Sequence, residues 1–197
     1  IADISKIMMT GVGASYVKHN LYGLDCGRVA EFDSIGTGGL YLSGLSEALI
    51  VSMGTGTAIV HATKDGEMKY LGGTGVGGGT LVGLSRKIMG VDNVEHIEQL
   101  CEGGDLGKVD LRIRDISNAQ MYSGVDVDLT ASNFGKLSDL ANKHDISLGI
   151  VNMVAETIAM MAIFAARGHG LCDIVLTGNL TTITPIRRVF EELAQSF

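Results

Sequence analysis

Apolar and polar positions along the chain follow two periods, and these divide it into strands and helices. Residues 4 to 10 alternate loosely and predict a strand ending in the turn Gly11-Val12-Gly13. Ala48–Met53 and Thr57–Thr63 are apolar runs on either side of Gly54-Thr55-Gly56, and the turn Lys64-Asp65-Gly66 precedes a short strand at Met68–Leu71. Together they predict an antiparallel meander. Residues 34 to 46 carry a helical pattern, but Gly36, Gly38, Gly39 and Gly44 weaken it and point to close neighbours. Further helices are predicted up to about Met89, from Asn93 to Cys101, over Leu148–Arg167, and from about Thr184, where Pro185 falls in the first turn. A buried strand at Asp173–Thr177 runs into the turn Gly178-Asn179. Residues 102 to 135 are polar and irregular, a length of structureless chain that in a compact domain is usually functional or mobile.

The segment between the meander and the next helix changes the picture from fold to chemistry. Residues 72 to 79 hold six glycines in eight positions and lead directly into a helical pattern. Backbone amides without Cβ atoms at the positive end of a helix suit a phosphate. A tight turn packed against neighbouring backbone is the alternative use of the same glycines. Gly73, Gly75 and Gly78 formally satisfy G-x-G-x-x-G, but the preceding hairpin does not give the parallel βαβ unit that a dinucleotide site needs. No Lys-Ser/Thr pair follows the glycines, so the P-loop form is absent. Thr55 and Thr57, in the turn after the first apolar strand, offer hydroxyls for phosphate oxygens or for ordinary turn bonds.

Composition removes several alternatives. The chain has 197 residues, 46% of them apolar, enough for one large domain or two small ones. Its 15 basic and 22 acidic side chains leave a net charge of −7, which gives no general attraction to nucleic acid or an anionic membrane. Three widely spaced cysteines, Cys26, Cys101 and Cys172, suit a reducing cytosol better than a disulfide framework or a metal site. The five histidines show no metalloprotease-type spacing, so no metal ligands are predicted. Residues 148 to 167 have the length of a membrane span, yet Asn152 and Glu156 share one helical face, and a carboxylate in mid-span is costly. A buried core or subunit-interface helix is expected, and with it a homodimer.

Six ordered motifs carry a family resemblance: EFD at 31–33, SMGTGTAIV at 52–60, GGTGVGGGTLVGLS at 72–85, DLRIRDI at 110–116, DLTASNFG at 128–135 and VLTGN at 175–179. Over nearly its whole length the chain resembles type II pantothenate kinases, which belong to the actin, sugar kinase and Hsp70 ATPase superfamily. The resemblance implies an α/β, ribonuclease H-like fold of two duplicated halves around a nucleotide cleft. Residues 1–47 would be the C-terminal part of the first half and 48–197 the second half with its glycine-rich loop. It implies ATP-dependent phosphorylation of pantothenate, the first step of coenzyme A biosynthesis, with Mg2+ held by the phosphates. Glu31 would be the catalytic base. Thr55 would approach the γ-phosphate or the acceptor hydroxyl, while Gly78, Gly79, Thr80, Leu81 and Val82 wrap the nucleotide and Asn179 contacts adenosine. Asp128, Thr130 and Asn133 fall in a signature near the substrate pocket, and Thr57 is a further substrate-side candidate.

Two departures from the pattern bear on this implication. The chain opens at what resembles a later strand of the family and stops before its Gly-Ala-rich C-terminal strand and helix, so a fragment lacking part of the phosphate clamp is expected. Tyr70 stands where family members often carry an arginine for the pantothenate carboxylate. Lys69 is the neighbouring candidate, a point charge on a flexible stem rather than a bidentate fork. Another small hydroxyl-bearing substrate is therefore an alternative acceptor, and a regulatory module that binds nucleotide without transfer is an alternative class.

Overall fold

The computed structural model describes residues 4–117 and 126–196. They fall into two compact units, each built from separated stretches of chain. The first takes 4–52, 58–72 and 165–177, and the second takes the described residues of 53–57, 73–164 and 178–196.

The first unit is organised on a four-stranded sheet of β3 (Glu47–Met53), β4 (Thr57–Thr63), β5 (Lys69–Thr74) and β8 (Ile174–Thr177), in the order β5-β4-β3-β8. β3 and β8 run parallel, with Leu49 opposite Ile174 and Ser52 opposite Thr177. Gly54 N donates to Gly56 O and Lys64 N to Ser46 O at the two ends of β3 and β4, which closes the expected hairpin. Ala48, Leu49, Ile50 and Val51 are all fully buried, the continuous apolar run of a strand covered on both faces. A smaller sheet pairs β1 (Lys6–Met9) in parallel with β2 (Asp25–Arg28). The sequence Asp-Cys-Gly-Arg of β2 carries no strand pattern and is not predicted.

Helix α1 (Glu31–Ser43) begins and ends three residues before the predicted stretch. Gly44 ends it in the left-handed conformation, φ 75°, with its N–H donating to Leu40 O. Phe32, Ile35 and Leu40 of this helix pack with Ala48, Ile50, Val60 and Ala62 of the sheet. A Cβ on Gly39 would lie 2.8 Å from Cδ1 and 2.9 Å from Cγ2 of Ile50, so this glycine lets the helix approach the strand.

The second unit is mainly helical: α2 (Gly78–Met89), α3 (Val94–Cys101), α4 (Ile113–Ile116), the first part of α5 (Lys143–His169) and α6 (Thr184–Ser196), with a short antiparallel pair of β6 (Leu111–Arg112) and β7 (Thr130–Ser132). Its core is made by Leu81, Ile97, Val109, Ile150, Ile158, Ile183 and Ile186, none more than 2% exposed. Ser147 Oγ of α5 donates to Ile97 O at 2.8 Å, and Glu98 Oε1 accepts from Thr184 N at the start of α6.

α5 starts five residues before its predicted boundary because polar residues fix its end. Asn142 Oδ1 accepts from His144 N and Asp145 N, while Asp145 Oδ2 accepts from Asn142 N in return. Asp145 also accepts from Asp105 N and Lys108 Nζ, and these bonds hold its carboxyl below the usual range. Among the described residues α5 alone is long and apolar enough to cross a membrane, and half of its apolar window is buried inside the protein. The side chains of Asn152 and Glu156 both find protein partners.

The glycines of α1 give opposite expectations. Nothing lies within 4 Å of a Cβ on Gly38, so Gly38→Ala gains stability by up to about 1 kcal/mol from helix propensity. Gly39→Ala drives its methyl into Ile50 and loses about 1–2 kcal/mol net. Urea denaturation of the two variants checks the signs.

Candidate functional site

Three turns that follow strands meet within the second unit. The first, Gly54-Thr55-Gly56, follows β3; the second, Gly75-Val76-Gly77, follows β5 and opens α2; the third, Gly178-Asn179, follows β8. Gly78 N donates to Gly54 O at 2.8 Å and Gly79 N to Thr55 O at 2.9 Å. Two amides at the start of α2 are thus satisfied by the first turn. Thr57, 6% exposed, adds a side-chain clip: its Oγ1 donates to Val76 O at 2.9 Å. Thr80 Oγ1 donates to Gly75 O at 3.0 Å and accepts from Gly77 N at 3.3 Å, closing the second turn on itself.

Backbone meets backbone here, and glycine is required for it. A Cβ on Gly77 would come 2.7 Å from both Gly56 Cα and Thr55 O. Gly178 has φ 96°, and a Cβ there would collide with Met53 O. By contrast, a Cβ on Gly75 would meet nothing within 4 Å, and one on Gly54 would meet only Gly56 O at 3.8 Å. The glycines therefore divide between two uses: Gly77, Gly78 and Gly79 hold the turns together, while Gly54 and Gly75 leave open space in which another molecule can approach the backbone.

The predicted nucleotide residues are brought together unevenly. Thr55 is exposed on the first turn, and Asn179 is exposed at the start of a 3-10 turn, Asn179–Thr182, whose Leu180 lies 3.7 Å from the Cβ position of Gly78. Leu81 is fully buried in the core, and Val82 is half-buried on α2. Glu31, Lys69 and Tyr70 belong to the first unit. There Glu31 is the exposed first residue of α1, and Lys69 and Tyr70 are exposed at the start of β5. The Tyr70 ring stacks on Phe32, with centroids 4.2 Å apart and planes 9° from parallel.

A second polar constellation in the second unit links segments distant in sequence. Asp110, with no exposed surface, accepts from Phe134 N at 2.8 Å and from Asn152 Nδ2 at 2.9 Å. Asn133 Nδ2 donates to Glu156 Oε2 at 2.9 Å. Burial pushes the carboxyls of both Asp110 and Glu156 above their ordinary values, partly offset by these bonds. Asp128, more exposed, accepts from Arg112 Nη1 at 3.3 Å and pairs with Arg114 at 2.6 Å. A cavity of about 500 Å3 lies beside these groups, lined among others by Arg112, Asp128, Thr130, Asn152, Glu156 and Arg188. The sequence singles out Asp128 and Asn133 but not Asp110, whose letter sits within DLRIRDI without a partner to mark it.

With this geometry in view, comparison with known proteins is decisive for the family. The Fumble family matches residues 45–194. The chain belongs to that family. A type II pantothenate kinase of Oceanobacillus iheyensis is 34% identical over 180 residues, covering 87% of this chain and 66% of the relative. One of Bacillus cereus strain AH820 is 31% identical over 138 residues, covering 68% of this chain and 49% of the relative. The chain thus spans from 49% to 66% of the length of these relatives. Among solved structures, the activator of 2-hydroxyisocaproyl-CoA dehydratase from Clostridium difficile with bound ADPNP superposes with TM-score 0.61 at 18% identity, over 98% of this chain and 66% of that one. Plasmodium falciparum glycerol kinase with ADP gives 0.55 at 14%, over 86% of this chain and 38% of that one. The fold is therefore the one shared by actin, Hsp70 ATPases and sugar kinases, as the motifs imply.

The raised carboxyl of Asp110 has a definite pH signature. A folded-state value above the unfolded one, about 3.9, favours the protonated form, so its stabilising contribution is complete below that value and is lost as pH rises through the folded value. Asp110→Asn removes this loss. The stability of the variant relative to the parent therefore rises with pH above about 4; a difference that stays flat in urea titrations at successive pH values contradicts it.

Proposed function

We propose that the protein carrying this chain is an ATP-dependent kinase that phosphorylates pantothenate to 4'-phosphopantothenate, opening coenzyme A biosynthesis. The observation that carries this reading is the cluster of three turns, in which two glycine loops are tied backbone to backbone while Gly54, Thr55 and Gly75 stay open. Open backbone at Gly54 and Gly75 and the exposed Thr55 hydroxyl, beside the positive end of α2, form a surface that fits phosphate oxygens. The Gly77, Gly78 and Gly79 amides are engaged in holding the turns together. Membership of the Fumble family, with relatives named type II pantothenate kinases, supports the choice of acceptor.

In this reading Thr55 donates to the terminal phosphate or orients the acceptor hydroxyl, Thr80 and the start of α2 border the phosphates, and Asn179 contacts the adenosine. Thr57 and Leu81 act from behind, as the clip between turns and as core. Glu31 is the general base. As the alcohol oxygen bonds to the γ-phosphorus, the bond from that phosphorus to the β,γ-bridging oxygen breaks, ADP leaves, and the alcohol proton passes to the Glu31 carboxylate. Mg2+ is assigned to the nucleotide's own phosphates, as the resemblance to type II pantothenate kinases implies, where it would neutralise charge. Lys69, Asp128 and Asn133 are assigned to the acceptor side. A cytoplasmic homodimer formed through residues 148 to 167 completes the proposal; Phe164 on that helix is 60% exposed.

The test is phosphoryl transfer from ATP to pantothenate by the full-length protein, with other hydroxy acids and sugars as competing acceptors. Pantothenate-selective turnover is expected. Glu31→Gln should lower kcat by about a hundredfold or more while nucleotide affinity stays within about twofold of the parent. Selective turnover of another acceptor would move the substrate, and nucleotide binding without any transfer would replace the kinase with a regulatory module.

A further inference from the structure

The stack between Phe32 and Tyr70 bears on the residue next to Phe32 in the chain. Glu31 opens α1, and no side-chain hydrogen bond caps that end: Ala30 occupies the N-cap in an extended conformation. An uncapped first turn frays easily, because its amides have no intrahelical acceptors. Ser34 does bond back to Ala30 O, through its N–H at 3.0 Å and its hydroxyl at 3.1 Å, but these bonds tie the turn only to itself. Phe32 ties it to the rest of the unit. Its side chain packs on the cluster of Leu40, Ala48, Ile50, Val60 and Ala62, and its ring stacks with Tyr70 on β5.

We infer that Tyr70 is a positioning residue for Glu31, acting through Phe32, and that its aromatic face rather than its hydroxyl is what the reaction uses. Three observations converge on this. Tyr70 is 47% exposed, so its ring is not enclosed as core, and it lies face to face with Phe32. The ring planes lie within 9° of parallel at 4.2 Å, so a change of side chain at 70 alters the surface against which Phe32 rests. Glu31 is adjacent to Phe32, so a small rotation of the first turn carries the carboxylate with it. A base must sit within hydrogen-bond reach of the proton it takes, and misplacement by about 1 Å costs on the order of a hundredfold in rate.

The inference rests on Glu31 as the base, and the test separates the two. In the full-length protein, Tyr70→Ala and Tyr70→Leu are compared with Tyr70→Phe for kcat, KM and hydrogen exchange at the amides of residues 34 to 37. The aliphatic variants should lose roughly ten- to a hundredfold in kcat with KM for pantothenate little changed, and exchange in the first turn of α1 should quicken. Tyr70→Phe, which keeps the ring, should restore both. Exchange rates in Tyr70→Ala equal to the parent's overturn the inference whatever the enzyme's activity. A rise in KM that Tyr70→Phe shares also overturns it, since the hydroxyl would then be touching substrate. Quickened exchange in a protein that transfers no phosphate keeps the positioning of α1 and removes Glu31 as base.

Discussion

Two hydrogen bonds between backbone groups, Gly78 N to Gly54 O and Gly79 N to Thr55 O, are the constraint on which the candidate site depends. Each joins the first turn of α2 to a loop more than twenty residues earlier in the chain. They can form only where the two backbones touch, and the 2.7 Å approach at Gly77 shows that no side chain fits between them. The hydroxyl of Thr57 adds a third bond to the same seam. Donors in such an arrangement need little reorganisation when an anion arrives, which is the condition under which fixed dipoles are most effective. The amides of Gly78 and Gly79 are occupied in making the site rigid, so the groups left to a ligand are those on its open side, near Gly54, Thr55 and Gly75.

The acidic constellation obeys a similar logic with side chains in place of backbone. Asp110 has no exposed surface and survives there because Phe134 N and Asn152 Nδ2 supply bonds that partly replace water. Phe134 itself takes φ 58°, an uncommon conformation for a residue with a side chain, and its amide is held by that carboxylate. The loop of residues 130 to 135 is thereby fixed to α5 by polar contacts at Asn152 and Glu156.

Much of the first unit was legible because strand pattern and turn residues agree. The run from Ala48 to Thr63 contains two apolar strands and a Gly-Thr-Gly turn, and the hairpin follows. The glycine-rich loop and the helix after it were equally plain. What the loop's glycines touch was not, because the same six residues suit an anion site or a backbone contact: Gly77, Gly78 and Gly79 make the backbone contact, and Gly75 faces open space. The start of α5 escaped because its cap, Asn142 with Asp145, lies outside the apolar run that marks the helix. β2 escaped because its four residues have neither alternation nor β-branched side chains. The pairing of Asp110 with Asn152 spans 42 residues and leaves no periodic trace. Likewise, the position of Tyr70 in its motif marks a substrate-side candidate but gives no sign of the stack its ring makes with Phe32.

The central claim is that backbone contact between the glycine turns builds the nucleotide site. The most direct measurement is the affinity of the full-length protein for ADP by titration calorimetry, comparing the parent with Gly77→Ala. The added methyl must displace Gly56 or Thr55, so affinity should fall about tenfold or more, corresponding to about 1.4 kcal/mol. A variant that folds and binds ADP as tightly as the parent would contradict the account.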